Sequence, residues 1–207
     1  MALVKYNNNS ISAITDIADS MKGAMTLIKE VTASSDSTIS FVDGTSDVVL
    51  DSTYPIYQFE FINIHPQTTE KDFSFQVDTG TNTNYNQTIT STMFRALNAE
   101  ADDDASLSYT TAYDQAQGTA FQVLSGDVKA DSDSSVSGSL TLFNPSSSTF
   151  VKHFISTTNA MWYATYSIQT FVAGYINTTT ALTRVQFKMD SGNIDAGTIK
   201  LYGIKDS

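Results

Sequence analysis

The chain offers little to do chemistry with: two histidines, no cysteine, and 22 acidic against 11 basic side chains. Without cysteine there is no thiolate nucleophile, no disulfide and no sulfur ligand for zinc. A serine hydrolase would need His65 or His153 as its base. The two lie far apart in the chain, neither has the spacing of a zinc ligand, and the GxSxG elbow is absent. His153, in TFVKHFIS, reads as a strand residue on a wet face, and His65 precedes Pro66 at a strand exit. The densest charge is EADDD, where Glu100, Asp102, Asp103 and Asp104 could turn oxygens toward a hard cation; KADSDSS places Asp131 and Asp133 in a thinner cluster. Neither has EF-hand spacing, and a solvated loop accounts for both. A glycosidase pair would need two carboxylates from separate strands, about 5 to 9 Å apart, which spacing along the chain does not supply. The expectation is a protein without catalytic residues, cofactor or metal, and not an enzyme.

The aromatic residues say more. Twelve Phe, ten Tyr and one Trp form a large apolar payload, and most alternate with polar residues as core positions of strands do. In MWYATYSI, Trp162 and Tyr163 are adjacent and face opposite ways if the segment is a strand, so one of them leaves the core. A subunit contact is the first reading; simple exposure and a sugar-stacking platform are the others. A second candidate for contact is NSISAITDIADSMKG near the start, where Ile11, Ile14, Ile17 and Met21 recur at helical spacing between a capping Ser10 and Gly23. It reads as a short arm, 1–23, that docks on a neighbour or covers a domain edge.

These residues need elements to hold them, and after Ala24 the period is two. AMTLIKEVT, STISFVDG, YPIYQFEFINI, KDFSFQVDTG, GTAFQVLSG, SSVSGSLTLFN, ALTRVQFKMD and the final GTIKLYGI all read as strands with short polar connectors, within a total of about ten to twelve. In KDFSFQVDTG, Phe73, Phe75 and Val77 are expected inward and Asp72, Ser74 and Gln76 outward. NYNQTITSTMFRALNAE is expected to be strand as far as Phe94, followed by an acidic loop to Asp104. Residues 160–176, the longest apolar stretch, read as two strands meeting near Gln169 or as one bent strand. The region 79–104 reads as an excursion from the main body. Two packed antiparallel sheets would bury every inward stripe, so the fold class is all-β: a jelly-roll-like antiparallel β-sandwich over 24–207 behind the arm.

Charge excludes other classes. A net charge of −11, with no cluster of Lys or Arg, disfavours nucleic acid. No window reaches the 18 or so apolar residues of a membrane-spanning helix, and MALVKYNNNS lacks the pattern of a secretory signal. Charged residues make up 16% of the chain, below the usual share of about 25%, while roughly a quarter is Ser or Thr. Such a surface suits strands better than helices.

Several strings carry a resemblance: FEFINIHPQT at 59–68, SYTTAYDQAQGTAFQ at 108–122, SGSLTLFNPSSSTFVKHFISTT at 137–158, FVAGYINTTTAL at 171–182 and FKMDSGNIDAGTIKLYGI at 187–204. They resemble a family of structural proteins from tailed phages of marine bacteria, cyanobacteria in particular. The resemblance implies a β-rich virion component, either tail-associated or a fibre knob, or alternatively a decoration protein at three-fold positions of the head. A carbohydrate-binding module is a further alternative. It also implies a homotrimer, other virion proteins and a host surface glycan or receptor as partners, and assembly in the bacterial cytoplasm with release by lysis. It carries over no catalytic residue.

Overall fold

The computed structural model describes residues 23–162 and 165–205. They form thirteen strands: β1 (Met25–Thr32), β2 (Ile39–Val42), β3 (Ile56–Pro66), β4 (Lys71–Thr79), β5 (Ile89–Ala99), β6 (Ala105–Tyr109), β7 (Ala116–Gly118), β8 (Gln122–Val128), β9 (Val136–Phe143), β10 (Lys152–Trp162), β11 (Tyr166–Ile176), β12 (Leu182–Met189) and β13 (Ile194–Ile204). Every pairing is antiparallel, and no helix occurs among the described residues.

The alternating patterns fold into two facing layers. One begins β1-β13-β3-β9 and the other runs β2-β12-β4-β8. Numbering only these eight strands in chain order, the layers read 1-8-3-6 and 2-7-4-5, the double Greek key of a jelly roll. The remaining five strands are two insertions. The hairpin β10–β11 enters between β9 and β12, and β5, β6 and β7 enter between β4 and β8. Both add to the first layer, which continues β9-β10-β11-β5 and ends on β6 and β7. A single pair, Trp162 with Val128, ties β10 to β8 and closes one corner of the sandwich.

The core lies between the layers. Phe187 of β12 sits with its ring centroid 5.2 Å from Phe59, 5.3 Å from Phe61, 5.9 Å from Phe73 and 6.2 Å from Phe41, so rings from both layers meet on it. All five are buried. Mostly edge-to-face packing of this kind adds about 0.5 to 1.5 kcal/mol per pair beyond the burial itself.

Three expectations require correction. Ser74 and Gln76 do face away from the core on β4, but both are buried. The first insertion crosses that face, and the Gln76 amide donates to the carbonyls of Gln87, Thr119 and Ala120. Asp78, also buried, accepts from the backbone of Thr79 and Tyr85 and from the amides of Asn82 and Gln87, pinning the loop that follows β4. Second, β5 does not stop at Phe94. Met93, Leu97 and Ala99 continue its inward alternation, and the whole strand pairs with β11. Third, the reversal within 160–176 precedes Gln169, which lies inside β11 opposite Asn159 and Ala96. β10 and β11 pair without a break from Lys152↔Ile176 to Trp162↔Tyr166, and a bend at Gln169 would interrupt that ladder.

Candidate functional surface

The first layer has an outer face, and its two halves differ in chemistry. Across β1, β13 and β3 the outward residues mix charged and apolar side chains: Lys200 pairs with Glu30 at 3.1 Å, Glu60 follows in register on β3, and Met25, Leu27 and Ile62 are exposed beside them. Beyond β9 the alternation sends different residues outward. β10 presents His153, Ile155, Thr157 and Asn159; β11 presents Gln169, Phe171, Ala173 and Tyr175; β5 presents Thr90, Thr92, Phe94 and Ala96. Register then places Leu107 of β6 beside Ala96, and Tyr109 beside Phe94. Including the Ser and Thr residues of β9, the outward positions of these five strands hold no Asp, Glu, Lys or Arg.

The apolar members of this face are well exposed. Leu107 is 72% exposed, Ile155 52%, Tyr109 52% and Phe94 41%. Phe94 and Phe171 stack across the β5–β11 ladder with centroids 4.8 Å apart and planes 12° apart, forming a flat apolar step. Beside the step runs a groove of about 500 Å³, lined by Ile155, Ala173 and Thr92 in one row and by His153, Tyr175 and Thr90 in the next. Its polar rim is internally bonded: Asn177 donates to Gln117 Oε1 at 2.8 Å, and Gln117 Nε2 donates to Thr90 Oγ1.

The inner face of the same strands is mainly apolar, with Ile89, Met93, Phe154, Ile168, Val172 and Ile176 buried, but it also takes in hydroxyls. Ser91, Ser156, Thr158 and Thr170 are buried there. Ser156 donates to the carbonyl of Ser139 at 2.7 Å, Thr158 to that of Leu124 at 2.8 Å, and Ser91 to Gln122 Oε1 at 2.6 Å. Buried hydroxyls satisfied in this way are tolerated inside a sheet packing.

Elsewhere the sequence-derived candidates are placed as follows. Ile11, Ile14, Ile17, Met21 and Tyr163 lie outside the described residues. Trp162 closes β10 half-buried, with the Arg95 guanidinium 5.0 Å from its ring and Tyr166 packed edge-on at 5.5 Å. His65 Nδ1 is 2.8 Å from the carbonyl of Ser134, while the His153 ring lies 6.2 Å from that of Tyr175. Asp104 accepts from the Tyr166 hydroxyl, and Asp131 pairs with Lys129. Among the described residues, no three His, Asp or Glu side chains gather to hold a metal ion.

Two further ionisable groups were not singled out by sequence. Lys152 is fully buried at the start of β10, where its ammonium donates to the carbonyls of Phe150 and Thr178, and burial pushes its pKa down. It ties together the loops that precede β10 and follow β11. Asp72 of β4 accepts from the Asp127 backbone N–H at 2.9 Å and from the Tyr113 hydroxyl at 3.3 Å. Burial holds its carboxyl above the usual range, the charges of Asp127 and Asp190 push the same way, and those two hydrogen bonds oppose the shift.

Sequence reasoning missed the apolar outer face, although one signal for it was present. The stretch 160–176 is apolar at both alternating positions, so one face of that strand pair could not be satisfied by the core. Compared with family models, curated proteins and solved structures, the chain has no match.

Proposed function

We propose that this protein is a non-enzymatic virion surface component, tail-associated or part of a fibre knob, that acts by binding in host recognition or particle assembly. The observation that carries this reading is the eight-stranded double Greek key extended by a broad, uncharged apolar face. Jelly rolls recur in viral capsid and lectin domains, where function resides in surfaces added to the sandwich. The phage-like strings at 137–158, 171–182 and 187–204 support it, and all three contribute to the first layer. On this reading the protein is made in the bacterial cytoplasm, joins the particle as a symmetric oligomer with other virion proteins, and leaves by lysis. The alternative, a head decoration protein, uses the same sandwich as cement between capsid subunits.

Antibody labelling of purified particles tests the assignment. Signal at the tail supports the leading reading, signal over the head shell supports decoration, and absence of the protein from washed particles overturns both. A screen of purified protein against host surface glycans, scored for binding and for hydrolysis, tests the remaining clauses; glycan cleavage would overturn the non-enzymatic one.

A further inference from the structure

We propose that the charge-free outer face of β9, β10, β11, β5 and β6 docks on the same face of a second copy of this chain. The inference goes beyond the proposed function and holds whatever role the protein plays. It begins from charge. Two bodies of net charge −11 repel each other, and association is least opposed where charge-free surface meets charge-free surface. This face has no Asp, Glu, Lys or Arg among its outward positions, whereas the neighbouring half of the same layer carries Glu30, Glu60 and Lys200. A second copy brings a surface with the same lack of charge, so the pair is self-complementary about a two-fold axis.

The second argument is size and composition. Strands about 4.8 Å apart, rising about 3.4 Å per residue, make five strands by eight residues roughly 24 by 27 Å, or about 650 Å² per copy. A stable complex buries about 800 Å² per partner, so the face is of the right order. Leu107, Tyr109, Phe94 and Ile155 are exposed across it, and large apolar side chains gathered on one face mark an interaction site. The Phe94–Phe171 stack lies within this face, with Thr92, Thr157 and Gln169 around the stack and Leu107 and Tyr109 along the β6 edge, where the Tyr109 hydroxyl donates to the Asp114 carboxylate. Exposed apolar side chains interleaved with hydroxyls and amides, and few charges, fit the anatomy of a protein interface. A saccharide would fill the groove beside Tyr175 but would leave Leu107, at the far edge on β6, without a partner. The strands are paired over their full length, so little ordering opposes docking.

The test is the mass of the full chain in solution by light scattering at micromolar concentration, with melting and circular dichroism as controls for the fold. The wild type should have the mass of two subunits. Leu107→Glu and Ile155→Lys, each at an exposed site, should keep the wild-type circular dichroism and a cooperative melt lowered only by the lost association, but lose at least tenfold in association and shift to one subunit. Leu27→Glu, at a 48% exposed apolar residue on the charged half, should leave the mass at two. A wild-type mass of one subunit overturns the proposal, and so does a mass of three, which would favour the homotrimer. A two-subunit mass that survives both face variants but is lost with Leu27→Glu would move the interface to the other half and overturn it equally.

Discussion

The two halves of the first layer share a sheet and a continuous strand ladder and both bury apolar residues, yet only the second also buries hydroxyls. Across β1, β13 and β3 the buried residues are apolar, among them Phe59, Phe61, Ile199 and Leu201, while the outer side mixes Glu30, Glu60 and Lys200 with exposed Met25, Leu27 and Ile62. Across β10, β11 and β5 hydroxyls turn inward beside the aliphatic residues, while Ile155, Phe171 and Phe94 turn out. The reason lies in what covers each half. The first packs against the aromatic rings of β2, β4 and β12. The second packs against β8 and the segment before it, where the Leu124 carbonyl and the Gln122 amide ask for hydrogen bonds. A strand that must satisfy polar backbone on its inner side can use short hydroxyls there. Ile155, Phe171 and Phe94 lie on the other side, where on a single subunit they meet water.

The largest expected effect breaks the jelly-roll half alone. Phe187→Ala removes the ring on which both layers converge and should cost about 3 to 5 kcal/mol in urea denaturation. Phe94→Ala, on the exposed side of the extension and measured below the association range, loses its stack with Phe171 and should cost about 1 kcal/mol. Equal losses would mean that the outer face is as much a part of the folding core as the inner one.

Thr158→Val sharpens the inner side of the comparison. It preserves shape but leaves the Leu124 carbonyl without its donor, so a loss of about 1 to 2 kcal/mol is expected. A gain would show that this polar interior is incidental.

The joint between extension and second layer is sensitive to pH. Asp72 of β4 is held under Tyr113, which leads from β6 to β7, and burial raises its carboxyl above the usual range. A raised carboxyl contributes stability when both folded and unfolded states hold the proton, and that contribution is lost as pH rises through the folded-state pKa. Asp72→Asn keeps the two hydrogen-bond acceptances without the charge. It should therefore be close to neutral at about pH 3 and raise the melting midpoint by about 2 °C at about pH 7. A variant that destabilises at neutral pH would reverse the sign of the account.

The smallest effect falls on the charged half. Lys200→Met removes the exposed pair with Glu30, and the change in melting should be near the limit of detection and absent in high salt.

Much of the fold was legible in the sequence because period two is a strong signal wherever a strand has one dry face. Phe73, Phe75 and Val77, and later Val185, Phe187 and Met189, all face the core as their spacing predicts. The outward turn of Ser74 and Gln76 was legible too, but their burial was not, because the segment that covers Gln76 arrives 11 to 44 residues later and announces itself only through backbone carbonyls. The extension was hardest to read. β5 lies beside β11 through pairs such as Phe94↔Phe171, 77 residues apart, and nothing local in either segment specifies the other. Where hydroxyls and aliphatic residues share both faces, alternation no longer tells inside from outside. The apolarity of 160–176 could still be read, and it marks the strand pair at the centre of the exposed face.

The central claim, that the two halves of one layer have different destinies in solution, is tested most directly by hydroxyl-radical footprinting of the full chain across a concentration series. Oxidation of Leu107, Tyr109, Phe94 and Ile155 should fall as concentration rises through the association range, while that of Leu27 and Tyr202 stays constant. Constant labelling at all six residues, or protection confined to Leu27 and Tyr202, would contradict it.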